Sequence, residues 1–127
     1  MKEIRFFLCR HCGNLVLMVE DSGVVPHCCG EKMTLLKANS TEASGEKHLP
    51  VVQLKDGCIT ADVGSAAHPM EDGHHIAWIA LSGEKGIQIR RLCPTGAPRA
   101  EFLLADGDRP LCVYAYCNLH GLWRVDL

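Results

Sequence analysis

Four cysteines within the first 36 residues constrain this chain more than any other feature of its sequence. They are arranged as Cys9-x-x-Cys12, followed by the adjacent pair Cys28-Cys29. A segment this short buries too little apolar surface to fold alone, because chains below about 40 residues usually need a metal, a disulfide or a partner. The two-residue gap lets one tight turn direct two sulfur atoms at one ion. We therefore predict a four-thiolate metal site in the first segment.

The surrounding sequence favours metal binding over disulfides. The start, MKEIRFFLCRHCG, places charges around a very short apolar run, which is not the pattern of a secretory signal. We expect a cytoplasmic protein, and in that compartment eight cysteines indicate metal ligands or redox groups. A bridge between the neighbours Cys28 and Cys29 would also be strained.

Four thiolates suit either zinc or a single iron, so the residues alone leave the metal open. The adjacent cysteines predict a distorted tetrahedron. The formal net charge of −2 gives no reason to expect a nucleic-acid or membrane-surface partner. No apolar run approaches the roughly 20 residues that a membrane-spanning helix needs.

The chain divides by pattern into a metal-bound module at 1–36, a polar linker at 37–45 and a second domain at 46–127. In the second domain, Asp56-Gly57 is a strong hairpin signal. Seven segments there have the composition or alternation of strands: LPVVQL, CITADV, HIAWIAL, GIQIRRL, AEFLLA, LCVYAYC and LWRVDL. We predict an all-β protein, in which a small metal-bound module precedes an immunoglobulin-like antiparallel sandwich of about seven strands.

Histidines and one further cysteine recur in three stretches of the second domain: EKHLP, HPMEDGHHI and YCNLHGLW. A single histidine on a strand is usually a core or surface residue. Several imidazoles with one thiolate form a nitrogen-rich set that closed, four-coordinate zinc sites do not use. Iron suits such a set.

These stretches resemble the iron-binding stretches of desulfoferrodoxin, the two-iron superoxide reductase family, and the four N-terminal cysteines resemble its desulforedoxin module. The resemblance thus implies a desulforedoxin-like first module. Four independent segments match in order, from about Cys9 to Trp123. The resemblance implies two iron ions, one in a tetrahedral four-cysteine site and one in a square-pyramidal site. It implies that the second iron has four histidines in a plane and one axial cysteine: His48, His68, His74, His120 and Cys117.

The resemblance also separates the two adjacent histidines of HPMEDGHHI. His74 fits the family spacing of the ligand, whereas His75 stands where the family commonly has an aromatic residue. Gly73 stands where a lysine is frequent. If this stretch is a strand, His75 points to the opposite face from His74, so we expect it not to bind the metal.

The implied activity is one-electron reduction of superoxide to hydrogen peroxide. By the same resemblance Lys47 attracts the anion and helps to deliver protons, and Glu46 closes the open position of the ferric iron. An ordinary solvated linker end is the alternative for this charge pair. The alternative for the whole chain is a non-catalytic electron-transfer or metal-binding protein.

The family also suggests rubredoxin or a similar protein as the electron donor, and a homodimer as the assembly. Packing against a second copy would help so small a first module. Three cysteines, Cys58, Cys93 and Cys112, have no spacing that links them, and the strands around Cys58 and Cys112 suggest small buried residues. The sequence leaves open whether the first site is redox-active or only structural.

Overall fold

The computed structural model describes residues 3–127 and separates into two compact units, with the boundary between Lys37 and Ala38. The predicted linker at 37–45 differs from this division, since its residues from Ala38 onward belong to the second unit. Asn39 explains the difference. Its backbone N–H donates to the carbonyl of Leu122, and its side chain bonds both backbone groups of Arg124.

The first unit is built from short strands: β1 Phe6–Leu8, β2 Leu15–Leu17, β3 His27–Cys28, β4 Glu31–Lys32 and β5 Thr34–Leu35. One sheet has the order β2-β1-β5, and β3 pairs with β4 in a separate hairpin. One buried apolar cluster of this unit consists of Phe7, Cys9 and Met33, with partly buried neighbours around it. A core of this size supplies little of the stability that a folded unit needs.

The second unit contains one helical turn and seven strands: α1 Gly45–His48, β6 Pro50–Lys55, β7 Cys58–Val63, β8 Ile76–Gly83, β9 Ile87–Arg91, β10 Arg99–Leu103, β11 Pro110–Cys117 and β12 Gly121–Asp126. The strands form a three-stranded sheet, β10-β7-β6, and a four-stranded sheet, β12-β11-β8-β9. All of their pairings are antiparallel. The predicted all-β sandwich is confirmed, and each of the seven segments overlaps one of the strands.

Alternation places the core between the two sheets. In β7 the residues Ile59, Ala61 and Val63 are buried, and the residues between them are partly exposed. In β11 the corresponding inward positions include Val113 and Ala115. Period-two patterning therefore sorts apolar side chains onto the inner face, as the sequence predicts.

The Asp56-Gly57 pair forms the tight turn between β6 and β7. Lys55 pairs with Cys58 across a two-residue loop. Both loop residues have positive φ, 51° for Asp56 and 76° for Gly57. Two successive left-handed residues match the right-handed twist of a hairpin, which explains why Asp-Gly predicts this turn.

The helical turn α1 was not predicted, because four residues are too few to show a helical period. It begins after Ser44 and ends at His48. Within residues 3–127, no helix has the length and apolar character that crossing a bilayer requires.

Phe102 and Leu103 are neighbours on opposite faces of β10, so they test the sandwich directly. Phe102 is 1% exposed and Leu103 is 73% exposed. We expect Phe102→Ala to lower the free energy of unfolding by about 3–5 kcal/mol, because it leaves a cavity between the sheets. Leu103→Ala should change the free energy by less than about 0.5 kcal/mol. Denaturant titration of both variants checks this, and equal losses would contradict the assigned faces.

Candidate metal centres

The first cluster consists of the four predicted N-terminal cysteines. Cys9 and Cys12 lie in a turn that follows β1, in which the N–H of Gly13 donates to the carbonyl of Cys9 at 2.9 Å. Cys28 ends β3, and Cys29 lies in the turn before β4. The four sulfur atoms lie within 4.8 Å of one another. Two separate turns therefore direct four thiols at one point.

The adjacent pair reaches this point through an unusual backbone conformation. Cys29 has a φ of 53° and Gly30 a φ of 78°, and together they form the two-residue turn of the β3–β4 hairpin. The left-handed conformation at Cys29 brings its Sγ to 4.0 Å from that of Cys28. A non-glycine residue adopts this conformation at a cost, and metal binding offsets such a cost.

The thiols of the first cluster do not ionise independently. The backbone N–H of Cys12, 3.5 Å from Cys9 Sγ, lowers the pKa of Cys9 to about 6. The neighbouring sulfurs of Cys12 and Cys9 raise the pKa of Cys29 to about 12. One thiolate forms readily, and further thiolates at this spacing need a cation between them.

The second cluster collects five side chains from separate parts of the second unit. Four imidazoles and one thiol converge, and their donor atoms lie within 4.8 Å of one another: His48, His68, His74, Cys117 and His120. The side chains come from the end of α1, the β7–β8 connection, the end of β11 and the turn before β12. These are the five residues that the family resemblance implied as ligands of the second iron.

Two of the imidazoles face each other with atoms that cannot bond without a cation. His48 Nδ1 lies 2.7 Å from the carbonyl of Ser44, and His68 Nδ1 lies 2.7 Å from the carbonyl of Pro69. A carbonyl oxygen only accepts, so both Nδ1 atoms carry the hydrogen of a neutral ring. The two Nε2 atoms, 3.1 Å apart, then present lone pairs to each other. A metal ion resolves this repulsion.

Burial keeps these rings neutral, which is the form that binds metal. His48 and His68 are each 3% exposed. Burial lowers the pKa of both, in the case of His68 to about 4. The Nε2 atom of His74 is buried and has no hydrogen-bond partner among the described residues. The donor set therefore fits a metal ion and leaves a polar atom unsatisfied without one.

Packing and hydrogen bonds hold the His48 ring and the Cys117 sulfur in place around His120. The Trp123 indole stacks on His48 with ring centroids 4.7 Å apart. The backbone N–H of His120 donates to Cys117 Sγ at 3.4 Å. His120 Nδ1 lies 3.8 Å from the same sulfur and 3.1 Å from His48 Nε2. Cys117 is fully buried.

Close backbone approach places α1 beside the cluster. A Cβ atom at Gly64 would lie 2.5 Å from the carbonyl oxygen of Glu46 and 2.9 Å from that of Leu49. The same Glu46 carbonyl accepts from the N–H of Ala66 and from Ser65 Oγ. Only glycine at position 64 allows this packing. The side chains of Glu46 and Lys47 are exposed and are not among the five converging donors.

The remaining candidates lie outside both clusters. His75 is not a member, and its Nδ1 faces the carbonyl of Glu71 at 3.0 Å. It lies before β8 rather than within a strand, so face alternation is not what separates it from His74. Cys58 is half-buried, Cys93 is exposed and Cys112 is buried. Neither Gly64 nor Asn118 was identified from the sequence. The position of Asn118 between Cys117 and His120 could have indicated a role at the cluster.

Comparison with known proteins identifies the family of this chain. The desulfoferrodoxin family model matches residues 40–126. A desulfoferrodoxin of Syntrophotalea carbinolica is 41% identical over 125 residues, which are 98% of each protein. A superoxide reductase of Pyrococcus abyssi is 36% identical, over 69% of this chain and 91% of that protein.

Solved structures extend the similarity to three dimensions. The crystal structure of the superoxide reductase from Treponema pallidum has a TM-score of 0.84 and 38% sequence identity. The match covers 98% of this chain and all of that one. The likeness therefore includes both units of the chain.

Cys28→Ser tests whether the two clusters bind metal independently. We expect the first cluster to lose its metal and residues 3–37 to exchange amide hydrogens faster, because metal binding and folding are coupled in so small a unit. The second cluster should retain its metal, since none of its donors lies there. Elemental analysis with hydrogen exchange measures both effects. Cys93→Ser, an exposed cysteine outside both clusters, is the control. Loss of metal from both clusters in Cys28→Ser would contradict independence.

Proposed function

The chain belongs to the desulfoferrodoxin family, and from this membership and the second donor cluster we propose that it is a superoxide reductase. The reaction joins superoxide, one electron and two protons to give hydrogen peroxide. The observation that carries the proposal is the convergence of one buried thiol and four imidazoles on a single point. The two clusters correspond to the two iron sites of desulfoferrodoxin. Bound iron supplies the one-electron redox couple.

The donor set suits a small-molecule reaction better than a closed, structural role. Five donors are one fewer than an octahedral ion accepts, which leaves one position for a small ligand. A metal-bound imidazole is neutral and a metal-bound cysteine is a thiolate, so Cys117 would be the only negative donor in the set. The N–H of His120 stabilises that charge at 3.4 Å.

Lys47 is proposed to attract superoxide toward this site. Its side chain is exposed, directly precedes the buried His48, and has no ion-pair partner among residues 3–127. An unpaired cation provides a local positive field on a chain with a formal charge of −2. Its ammonium group can also organise water for proton delivery. Glu46, exposed beside it, is proposed to cover the open side of the site in the oxidised protein.

We further propose that the protein is cytoplasmic and that it receives electrons from a rubredoxin or a similar carrier. Oxidation of reduced rubredoxin, dependent on both the chain and superoxide, would test the donor.

We also propose a homodimer. Val19 and Val24 of the first unit are 88% and 72% exposed, and a second copy could cover them. A monomer in sedimentation equilibrium would reject the dimer.

Pulse radiolysis of the iron-loaded protein tests the activity, together with Cys117→Ser. We expect wild type to remove superoxide rapidly with one hydrogen peroxide formed per superoxide, since reduction yields no oxygen. Cys117→Ser should lose the sulfur-to-iron charge-transfer absorption and slow the reaction at least tenfold, because loss even of a partner behind a metal ligand typically costs about 10- to 100-fold.

Cys58→Ser, a half-buried cysteine outside both clusters, should behave as wild type. Wild-type protein that holds both irons but leaves superoxide untouched would favour the alternative, a non-catalytic electron carrier. An unchanged visible spectrum in Cys117→Ser would show that this sulfur does not bind the iron.

Lys47→Ala tests the electrostatic role. We expect bimolecular capture of superoxide to slow about tenfold at low ionic strength, because the attracting charge is removed. Added salt should slow wild type more than the variant, since screening removes an attraction that the variant already lacks. Lys47→Arg should retain most of the rate. Stopped-flow or pulse-radiolysis rates across a salt series measure all three effects.

The control is Lys55→Ala, an exposed lysine at the far end of β6. The strand places Lys55 roughly 20 Å along the chain from the cluster, so its charge acts on the site more weakly than that of Lys47, which directly precedes His48, and 0.1 M salt screens it almost completely. Iron content and absorption should be unchanged in every lysine variant. Equal rates for Lys47→Ala and Lys55→Ala at low salt would end the steering proposal.

A further inference from the structure

Asn118 joins the two segments that carry three of the five donors of the second cluster. It lies in the turn between β11 and β12, directly after Cys117 and two residues before His120. Its side-chain Nδ2 donates to the carbonyl of Gly73 at 3.0 Å. Its Oδ1 accepts from the backbone N–H of His75 at 2.8 Å. These two bonds bracket His74 on both sides.

The main chain of Asn118 adds a third bond, from its N–H to the carbonyl of His75 at 3.2 Å. Regular pairing of β11 with β8 ends at Cys117 and Ile76, with a register shift just before that pair. A carboxamide carries one acceptor and one donor group, so it can pair with an N–H and a carbonyl as a strand backbone does. Asn118 thus continues the pairing past the point where the ladder ends.

Local hydrogen bonds shape the His74 turn but do not attach it to the β11–β12 turn. Glu71 and His74 exchange backbone bonds within the turn, and His75 Nδ1 faces the Glu71 carbonyl. Between residues 71–75 and 117–120, the hydrogen bonds among described residues are the three that Asn118 makes. Two of these three bonds come from the carboxamide, which therefore helps to hold the His74 ring in place relative to Cys117 and His120.

We propose that Asn118 is a positioning residue, which holds His74 at bonding distance from the metal that Cys117 and His120 bind. The inference rests on the proposed function insofar as that metal is the reacting iron. Side chains behind the ligands of a metal site typically change metal affinity or activity by about 10- to 100-fold when they are removed. Asn118 acts from behind the ligands and does not itself offer a donor to the cluster.

Asn39 provides a matched control within the same unit. Its Nδ2 donates to the carbonyl of Arg124 at 3.1 Å, and its Oδ1 accepts from the N–H of Arg124 at 2.9 Å. The two asparagines thus make the same pair of side-chain bonds to backbone groups. Neither Asn39 nor Arg124 is a member of the donor clusters. Replacing either asparagine removes two hydrogen bonds, but only Asn118 braces a donor.

The experiment compares Asn118→Ala, Asn118→Asp and Asn39→Ala as iron-loaded full-length proteins. The measurements are the thiolate-to-iron absorption of the oxidised second site, the rate at which a chelator removes iron from that site, and the thermal midpoint. We expect Asn118→Ala to shift or weaken the absorption and to release iron about 10- to 100-fold faster. Asn39→Ala should keep the wild-type absorption and release rate, even where its thermal midpoint falls equally.

Asn118→Asp retains the acceptor for His75 and loses the donor to Gly73, so its absorption should lie between those of wild type and Asn118→Ala. Asn118→Asp also provides the test of the positioning role if Asn118→Ala fails to fold. Asn118 variants with the absorption and iron release of Asn39→Ala would overturn the proposal, whatever their thermal midpoints. The spectra do not depend on superoxide. An inactive wild type with shifted Asn118 spectra would therefore reject the activity and support the positioning role.

Discussion

The Nε2 atoms of His48 and His68 face each other at 3.1 Å, while both Nδ1 atoms donate to backbone carbonyls. This arrangement is repulsive for two neutral rings without a cation. The fold nevertheless maintains it, with Trp123 stacked on one ring and the helical turn α1 packed against Gly64. The fold of the second unit therefore holds these two rings in an arrangement that a bound metal ion stabilises. Because the rings are buried and uncharged, they can bind such an ion.

In the first unit, too, the fold holds donor atoms at a spacing that favours a bound cation. Its buried cluster is formed by Phe7, Cys9 and Met33, of which one is itself a donor. The four thiols cannot all ionise at their observed spacing unless a cation lies among them. The buried cluster of this unit and its metal site thus share Cys9. In the second unit, by contrast, a separate core between the two sheets supports the donors.

Much of the fold could be predicted because strand patterning is local. Alternation in β7 and the Asp56-Gly57 turn require only neighbouring residues, and the structure agrees with both. Two features of the fold could not be predicted from local patterns. The turn α1 is too short to show a period, and residues 38–45 resembled a linker because their polar composition hides the bonds of Asn39 to β12.

The sequence by itself determined the chemistry of both clusters, because residue type sets which atoms can bind a metal and short spacings set which residues share a turn. The family resemblance paired Cys117 with His120, and their short separation allows both to bind one metal. The tertiary structure decided which nitrogen of each ring faces the cluster, since that depends on carbonyls such as Ser44 and Pro69. It also decided that Asn118 spans 45 residues to reach Gly73. Contacts over such separations arise only when distant strands pair, so no local pattern encodes them.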